Sequence, residues 1–206
     1  MEQFNSCERR KRDLLRFLLV QTSLVRSHVK PAEILAVDRC PCPQTAGNPQ
    51  ATLCMGQREV LEKIGLPYRI LQLREHRSLV IFYDPALLWE TLAKPYTMEY
   101  LRRHGYADCV RLEDFLERLT RHFENGAFAH EVGLFLGYPL KDVVGFIANR
   151  AQITYQGSWR VYGKPEPSLQ LMERFRRARA LAEVIVNQVE DWDACVEKLS
   201  QIRFFI

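Results

Sequence analysis

The sequence predicts a single α+β domain in which a small, mostly antiparallel sheet packs against several helices. Two observations favour this class. Short runs rich in β-branched and aromatic residues alternate with longer runs of helical periodicity, and two of the short runs lie close enough to form a hairpin. A chain of 206 residues, 47% of them hydrophobic, can bury one core. We expect an N-terminal amphipathic helix over residues 1–30 and one α+β domain over residues 31–206.

The first half of the chain is predicted to contain a long helix, a short helix and a β-hairpin. Apolar residues on one face predict the first helix over residues 7–28, and Pro31 ends it because the residue before a proline avoids helical backbone. The short helix covers residues 59–64. Residues 68–73 and 78–83 are rich in β-branched or aromatic side chains, which predicts two paired strands. The second run is apolar on both faces, as expected of a central strand.

The second half is predicted to be mainly helical, with two more strands. Asp84 and Pro85 are typical of a helix start, because Asp caps free backbone N–H groups and Pro fits the first turn. Residues 132–136 and 158–162 are expected to be strands. Helical periodicity predicts further helices over residues 97–103, 111–124 and 140–148, from residue 168 onward, and over residues 191–199.

Charge and hydropathy exclude several classes of protein. The net charge is only +4, and although 22 of the 29 basic residues are arginine, no signature of a nucleic-acid-binding module accompanies them. The basic N-terminus precedes an apolar run, but Arg16 interrupts that run and no small-residue cleavage site follows, so a signal peptide is not expected. No segment is long enough to span a bilayer. We therefore expect a cytoplasmic protein that contacts neither nucleic acid nor a membrane.

Two cysteines in a proline-rich segment are the first candidates for chemistry. Cys40 and Cys42 alternate with prolines within residues 38–49, a segment whose three prolines and one glycine predict an irregular loop. Thiolates one residue apart can ligate a soft metal ion or act as a redox pair, and Cys-Pro pairs resemble haem-responsive motifs. Zinc and redox sites usually separate their cysteines by two residues, so a structured loop with incidental thiols is the alternative. Cys195, by contrast, is predicted to lie in the core.

The second candidate is the His130–Glu131 pair with the two glycines that follow it. A carboxylate beside an imidazole can orient it or raise its pKa, as a general base requires, although adjacent residues in a strand point to opposite faces. Gly133 and Gly137 permit a close backbone approach or a bend. The helix start after Gly137 offers free N–H groups to an anion, and tight packing of a strand on a helix is the alternative interpretation.

Three segments resemble a bacterial family of unknown function, DUF3793. Residues 129–139, with 142–147, are similar to the family's phe-pro-his-glu-ile-gly-leu-phe-leu-gly-tyr-pro core. Residues 157–162 resemble its gly-tyr-trp-lys-val-tyr segment, and residues 80–88 resemble a strand that leads into a tyr-x-pro-x-leu-leu helix start. The resemblance covers roughly residues 33–190 and implies a loose association with flavodoxin-type redox proteins as partners.

The chain departs from the family pattern at its cysteines. The family's his-cys-ala-pro-thr-leu-ala-gly loop aligns with Cys40 at the histidine and Pro41 at the cysteine, so a thiol is kept but lies one residue later, at Cys42. A cysteine found late in the family aligns with Ala178. A mechanism that needs both family thiols is therefore not expected in this chain.

These observations predict that the cysteine loop and the segment beginning at His130 converge on one pocket. The leading hypothesis is a ligand-, metal- or haem-binding protein linked to redox metabolism, with Cys40, Cys42 and His130 as metal ligands. One alternative is a thiol-dependent enzyme in which Cys42 is the nucleophile, His130 its base and Glu131 a catalytic partner. Another is a non-catalytic interaction module that uses the arginines within residues 174–179. The expected ligand-binding residues are Thr45, Gly47, Gly133, Gly137 and Tyr138.

Overall fold

A computed structural model of the protein describes residues 2–38, 55–74, 77–125, 129–149, 152–189 and 191–202, with the backbone alone at 2–8 and 55. The N-terminal elements are α1 (Glu2–Arg26), β1 (Ala32–Asp38), α2 (Met55–Ile64), β2 (Tyr68–Leu73), β3 (Arg77–Tyr83), α3 (Pro85–Leu92) and α4 (Pro95–Leu101). A π turn over Arg102–Tyr106 leads into α5 (Leu112–Glu124). The remaining elements are α6 (Val132–Phe135), α7 (Leu140–Ile147), β4 (Tyr155–Gln156), β5 (Arg160–Val161), α8 (Glu166–Gln188) and α9 (Trp192–Ser200).

A three-stranded antiparallel sheet lies between two layers of helices. Its strand order is β1-β3-β2, so the predicted hairpin is confirmed and β3 is the central strand. Side chains of a strand alternate between the two faces. Val80 and Phe82 pack with α1, α2, α8 and α9, whereas Ile81 packs with α3 to α7. This double burial explains why β3 is apolar on both faces, and it confirms the predicted α+β class.

Two local predictions are also confirmed. The Asp84 carboxylate accepts hydrogen bonds from the backbone N–H groups of Ala86 and Leu87 at 3.0 and 3.1 Å, so it caps α3 as expected. Cys195 is fully buried in α9. No helix within the described ranges is long and apolar enough to cross a bilayer.

The strands of the structure differ from the predicted ones in three places. β1 was not predicted. The strand expected over residues 158–162 is a short hairpin, in which β4 pairs with β5 across a turn at residues 157–159. The strand expected over residues 132–136 is wrong, because these residues form the one-turn helix α6 and the turn that ends it. Four consecutive buried residues fit a helix turn as well as a buried strand, so periodicity alone does not separate the two.

Candidate ligand-binding cavity

The turn that ends α6 determines the direction in which the chain enters α7. Gly137 has a φ of +79°, a left-handed conformation that glycine adopts at little cost. Its N–H donates to the carbonyl of Leu134 at 3.1 Å, and the N–H of Tyr138 donates to the carbonyl of Gly133 at 2.9 Å. These two bonds form a Schellman motif, which satisfies carbonyl groups at the helix end. The motif ends α6 and turns the chain toward Pro139 and the start of α7.

The glycines allow neighbouring elements to pack closely. A Cβ atom on Gly133 would lie 2.8 Å from Cγ2 of Val143 in α7, closer than side-chain carbons approach one another. A Cβ atom on Gly137 would lie 2.8 Å from Cδ of Pro31, just before β1. Close packing at the two glycines is therefore observed, but it joins α6 to α7 and to Pro31 and not a strand to a helix.

Asp142, in the first turn of α7, is a buried carboxylate that holds four groups together. Its Oδ1 accepts hydrogen bonds from Nζ of Lys141 at 2.7 Å and from the backbone N–H of Tyr162 at 2.9 Å. Its Oδ2 accepts from Nε1 of Trp159 at 2.9 Å and from the hydroxyl of Ser168 at 2.6 Å. Burial alone would raise the pKa of Asp142, but these hydrogen bonds outweigh it and hold the pKa below its ordinary value. The carboxylate is therefore ionised and joins α7, the β4–β5 hairpin and α8.

The hydrogen bond that Trp159 donates to Asp142 fixes the indole as an aromatic wall. The indole of Trp159 stacks on the ring of Tyr138, with centroids 4.6 Å apart and planes 19° from parallel. It also contacts Phe175 of α8, at a centroid distance of 6.3 Å. Offset stacking of this kind stabilises the pair beyond simple burial. A tryptophan with a bonded N–H and two aromatic neighbours has little freedom to change rotamer.

Tyr138 in turn lies against a buried group of charges. Lys30 Nζ lies 5.4 Å from the centroid of the Tyr138 ring and 5.6 Å from that of Phe175. The ammonium also bonds to Glu33 at 2.9 Å, and Arg179 bonds to the same carboxylate at 3.0 Å. Burial lowers the pKa of Lys30, and the Glu33 carboxylate opposes that shift. Burial and Glu33 also raise the pKa of Tyr138 to about 12, so its phenol stays protonated at neutral pH.

A cavity of about 340 Å³ opens between the α6–α7 turn and the β4–β5 hairpin. This volume lies within the range of about 300–1,000 Å³ that is typical of small-molecule pockets. Most of its lining is apolar or aromatic, with a few polar groups. The lining residues are His130, Val132, Gly133, Leu136, Tyr138, Asp142, Val143, Phe146, Gln156, Trp159 and Arg160.

His130 lies in the cavity wall, whereas the carboxylate of Glu131 bonds to residues of a different cluster. The His130 ring contacts Phe146 edge to face, with centroids 5.2 Å apart. The Glu131 carboxylate instead accepts hydrogen bonds from Nδ1 of His122 at 2.6 Å and from the hydroxyl of Tyr106 at 3.0 Å. Burial, with Glu131 nearby, raises the pKa of Tyr106 above its ordinary value. These bonds fasten the turn before α6 to α5 and the π turn.

The predicted site residues divide into three groups. Gly133, Tyr138 and His130 line the cavity, while Gly137 forms the turn beside it. Glu131 bonds to His122 and Tyr106. The third group, Cys40, Cys42, Thr45 and Gly47, lies outside the described residues. Within the part of the chain that is described, no three His, Cys, Asp or Glu side chains cluster as metal ligands would.

Most arginines of the cluster in residues 174–179 are paired within the chain. Arg176 and Arg177 both bind the carboxylate of Glu173, with shortest distances of 2.7 Å, and this lowers the pKa of Glu173 to about 2. Arg179 binds Glu33 in the buried group of charges. Arg174 is exposed on α8. The predicted interaction surface on this helix stays a prediction. Three of its four arginines already have a carboxylate partner within the chain.

Four residues important to the cavity were not predicted: Asp142, Phe146, Trp159 and Arg160. Asp142 follows a proline by three residues, which is typical of an ordinary acidic side chain in the first helical turn. Its four bonds come from residues 1 to 26 positions away, so they depend on tertiary contacts. One local signal did point to this site, namely Trp159 in a turn that contains a glycine. A buried indole N–H needs a hydrogen-bond acceptor, so the tryptophan indicates that an acceptor lies nearby.

Comparisons with known proteins give the chain a family and leave its activity open. Searches of curated proteins and of solved structures each found no match. A scan against protein families found one described as "Protein of unknown function (DUF3793)", which matches residues 18–195 and so includes α6, α7 and the β4–β5 hairpin. The chain belongs to the DUF3793 family.

Proposed function

We propose that the protein binds a small organic ligand in the cavity between the α6–α7 turn and the β4–β5 hairpin. The observation that supports this proposal is the aromatic lining of the cavity. Trp159 and Tyr138 stack at 4.6 Å, and Phe146 lies nearby with 42% of its surface exposed. An exposed aromatic side chain beside a fixed aromatic wall is suited to bind an apolar or planar molecule.

The hydrogen bonds that hold Trp159 in place require a buried carboxylate, whose desolvation is unfavourable. Asp142 is only 2% exposed, and four donors converge on it to hold Trp159 in place. A fold that needed only a packed core at this point could use apolar side chains, which avoid the desolvation of a carboxylate. Fixing a tryptophan in one orientation is instead what preorganised ligand binding requires.

The other hypotheses from the sequence stay proposals of lower priority. A metal or haem site at Cys40, Cys42 and His130 needs thiols from a segment outside the described residues. The same holds for a thiol-dependent enzyme that uses Cys42. A link to redox metabolism and to a flavodoxin-type partner rests on the family resemblance. Only the organic ligand is supported by described side chains.

Binding of an uncharged fluorescent probe tests the proposal. N-Phenyl-1-naphthylamine fluoresces strongly in apolar surroundings, and we expect a saturable rise with one site per chain. Phe146→Ala should weaken the binding about tenfold, because it removes an aromatic contact worth on the order of 1 kcal/mol or more. Phe17→Ala is the matched control, since Phe17 lies on α1 and is also 42% exposed.

The pattern of the two variants decides the outcome. Weaker binding in Phe146→Ala with wild-type binding in Phe17→Ala places the probe in the cavity. Binding that does not saturate, or that is equal in both variants, would contradict the proposal. Circular dichroism of each variant shows whether it is folded.

A further inference from the structure

We propose that the ligand of this cavity is an acid, a planar molecule that carries a carboxylate or a phosphate ester, and that Arg160 binds its anionic group. This inference rests on the proposed function and adds the chemical class of the ligand. It rests on which charged side chains of the cavity wall already have partners within the protein.

The acidic residue of the lining has no capacity left for a ligand. Asp142 has two oxygen atoms, and each already accepts two hydrogen bonds, all four between 2.6 and 2.9 Å. A carboxylate accepts at about four lone-pair sites. Its charge is also compensated by Lys141 Nζ at 2.7 Å. Asp142 therefore does not attract a cationic ligand, even though it contributes to the lining.

The basic residue of the lining is in the opposite situation. Arg160, in β5, is exposed, and its guanidinium carbon lies 5.7 Å from the centroid of the Phe146 ring. Within the described ranges, its side chain forms no ion pair and no hydrogen bond. A guanidinium presents five N–H donors in a plane and binds carboxylate or phosphate through two parallel hydrogen bonds. The contact with Phe146 holds this group beside the aromatic part of the wall.

The two parts of the wall together define the ligand. An aromatic ring can contact Trp159 and Phe146 while an acidic substituent reaches Arg160, which lies beside Phe146. A simple inorganic anion would leave the aromatic surface unused, and an uncharged ring would leave the guanidinium without a partner. A planar acid uses both.

A matched series of naphthalene compounds tests the inference. We would measure the binding of 2-naphthoate, 2-naphthyl phosphate and the uncharged 2-naphthamide by isothermal titration calorimetry. The proteins are the wild type, Arg160→Gln and the control Arg174→Gln, which removes an exposed arginine from α8. We expect at least one acid to bind the wild type about tenfold or more tightly than the amide, as a charge-assisted pair would give. The tighter of the two acids indicates whether a carboxylate or a phosphate is preferred.

The variants separate this inference from the proposed function. Arg160→Gln should bind acid and amide equally, whereas Arg174→Gln should keep the preference for the acid. If the amide binds the wild type as tightly as both acids, or if Arg160→Gln keeps the preference, the inference is overturned while the proposed function stands. The inference is also overturned if N-phenyl-1-naphthylamine binds and neither acid displaces it. If no probe binds at all, the proposed function fails as well.

Discussion

Replacing Asp142 with asparagine tests whether this carboxylate holds the cavity wall. The carbonyl oxygen of asparagine can accept the bonds from Lys141 and the backbone of Tyr162, but its NH₂ group then faces the indole N–H of Trp159 and the hydroxyl of Ser168. The hydroxyl can rotate and accept, whereas the indole N–H cannot. One buried donor is left without a partner.

The expected loss of stability follows from the bonds that are lost. A hydrogen bond to a charged group contributes about 1.5–3 kcal/mol, and weakening the contact with Lys141 adds on the order of 1 kcal/mol. We therefore expect the free energy of unfolding of Asp142→Asn to fall by about 2.5–4 kcal/mol in urea titrations followed by circular dichroism. Ser168→Ala, which removes one of the four donors, should cost less. A loss below about 0.5 kcal/mol in Asp142→Asn would refute the role of the carboxylate.

The same variant has a characteristic pH dependence. Because the pKa of Asp142 is lower in the folded protein than in the unfolded chain, the unfolded chain binds the proton more tightly. The stability from this group is complete above the ordinary aspartate pKa of about 3.9, and it is lost as the pH falls through the folded value. Asp142→Asn should therefore lose less stability than the wild type between pH 5 and pH 3. Parallel curves for the two proteins would contradict the depressed pKa.

Three more predictions concern the surroundings of the cavity. Burial raises the pKa of Tyr138 to about 12, so the folded protein keeps a proton that the unfolded chain releases near pH 10. Stability should therefore fall between pH 9 and pH 11, and Tyr138→Phe should reduce that fall by about 1 kcal/mol. An unchanged fall in Tyr138→Phe would be evidence against the raised pKa. Gly133→Ala should destabilise the protein by about 1–3 kcal/mol, because the new methyl group would collide with Val143. The double variant with Val143→Ala should lose less stability than the sum of the two single variants, and strict additivity would disprove the contact. Glu131→Gln should lower the free energy of unfolding by about 1.5–3 kcal/mol, because Tyr106 and His122 lose a charged acceptor. The same variant should bind N-phenyl-1-naphthylamine as the wild type does. Altered binding would show that Glu131 acts on the cavity.

Local patterns predicted much of the sheet because they reflect burial directly. The β3 run is apolar on both faces, and in the structure its side chains enter two separate cores. Asp84 before Pro85 predicted the start of α3 for an equally local reason, since a cap bonds to N–H groups two and three residues later. Predictions of this kind require no knowledge of distant contacts.

The strand expected over residues 132–136 shows where local patterns mislead. Four buried residues in a row fit either a buried strand or a turn of helix. The discriminating signal lay after the run. Gly137 followed two residues later by Pro139 is typical of a helix that ends in a left-handed glycine, and the Schellman bonds in the structure match that pattern. Giving this signal more weight would have predicted α6.

The cavity itself depends on contacts that a single sequence does not reveal. Its wall combines residues from α6, α7 and the β4–β5 hairpin, and the carboxylate of Asp142 meets donors up to 26 positions away. The expected contact between His130 and Cys42 stays a prediction, because Cys42 lies outside the described residues. His130 and Glu131 are adjacent in the sequence, but His130 lines the cavity while Glu131 bonds to α5.

The indole N–H of Trp159 offers the most direct test of the binding site. The chain contains three tryptophans, and Trp159→Phe assigns the relevant indole signal in a two-dimensional ¹⁵N–¹H NMR spectrum. Titration with 2-naphthoate should shift the signal of Trp159 progressively to saturation, because the ring currents of a bound naphthalene act within a few ångströms, while the signals of Trp89 and Trp192 stay in place. A Trp159 signal that does not move, with shifts at the other two tryptophans instead, would contradict binding in this cavity.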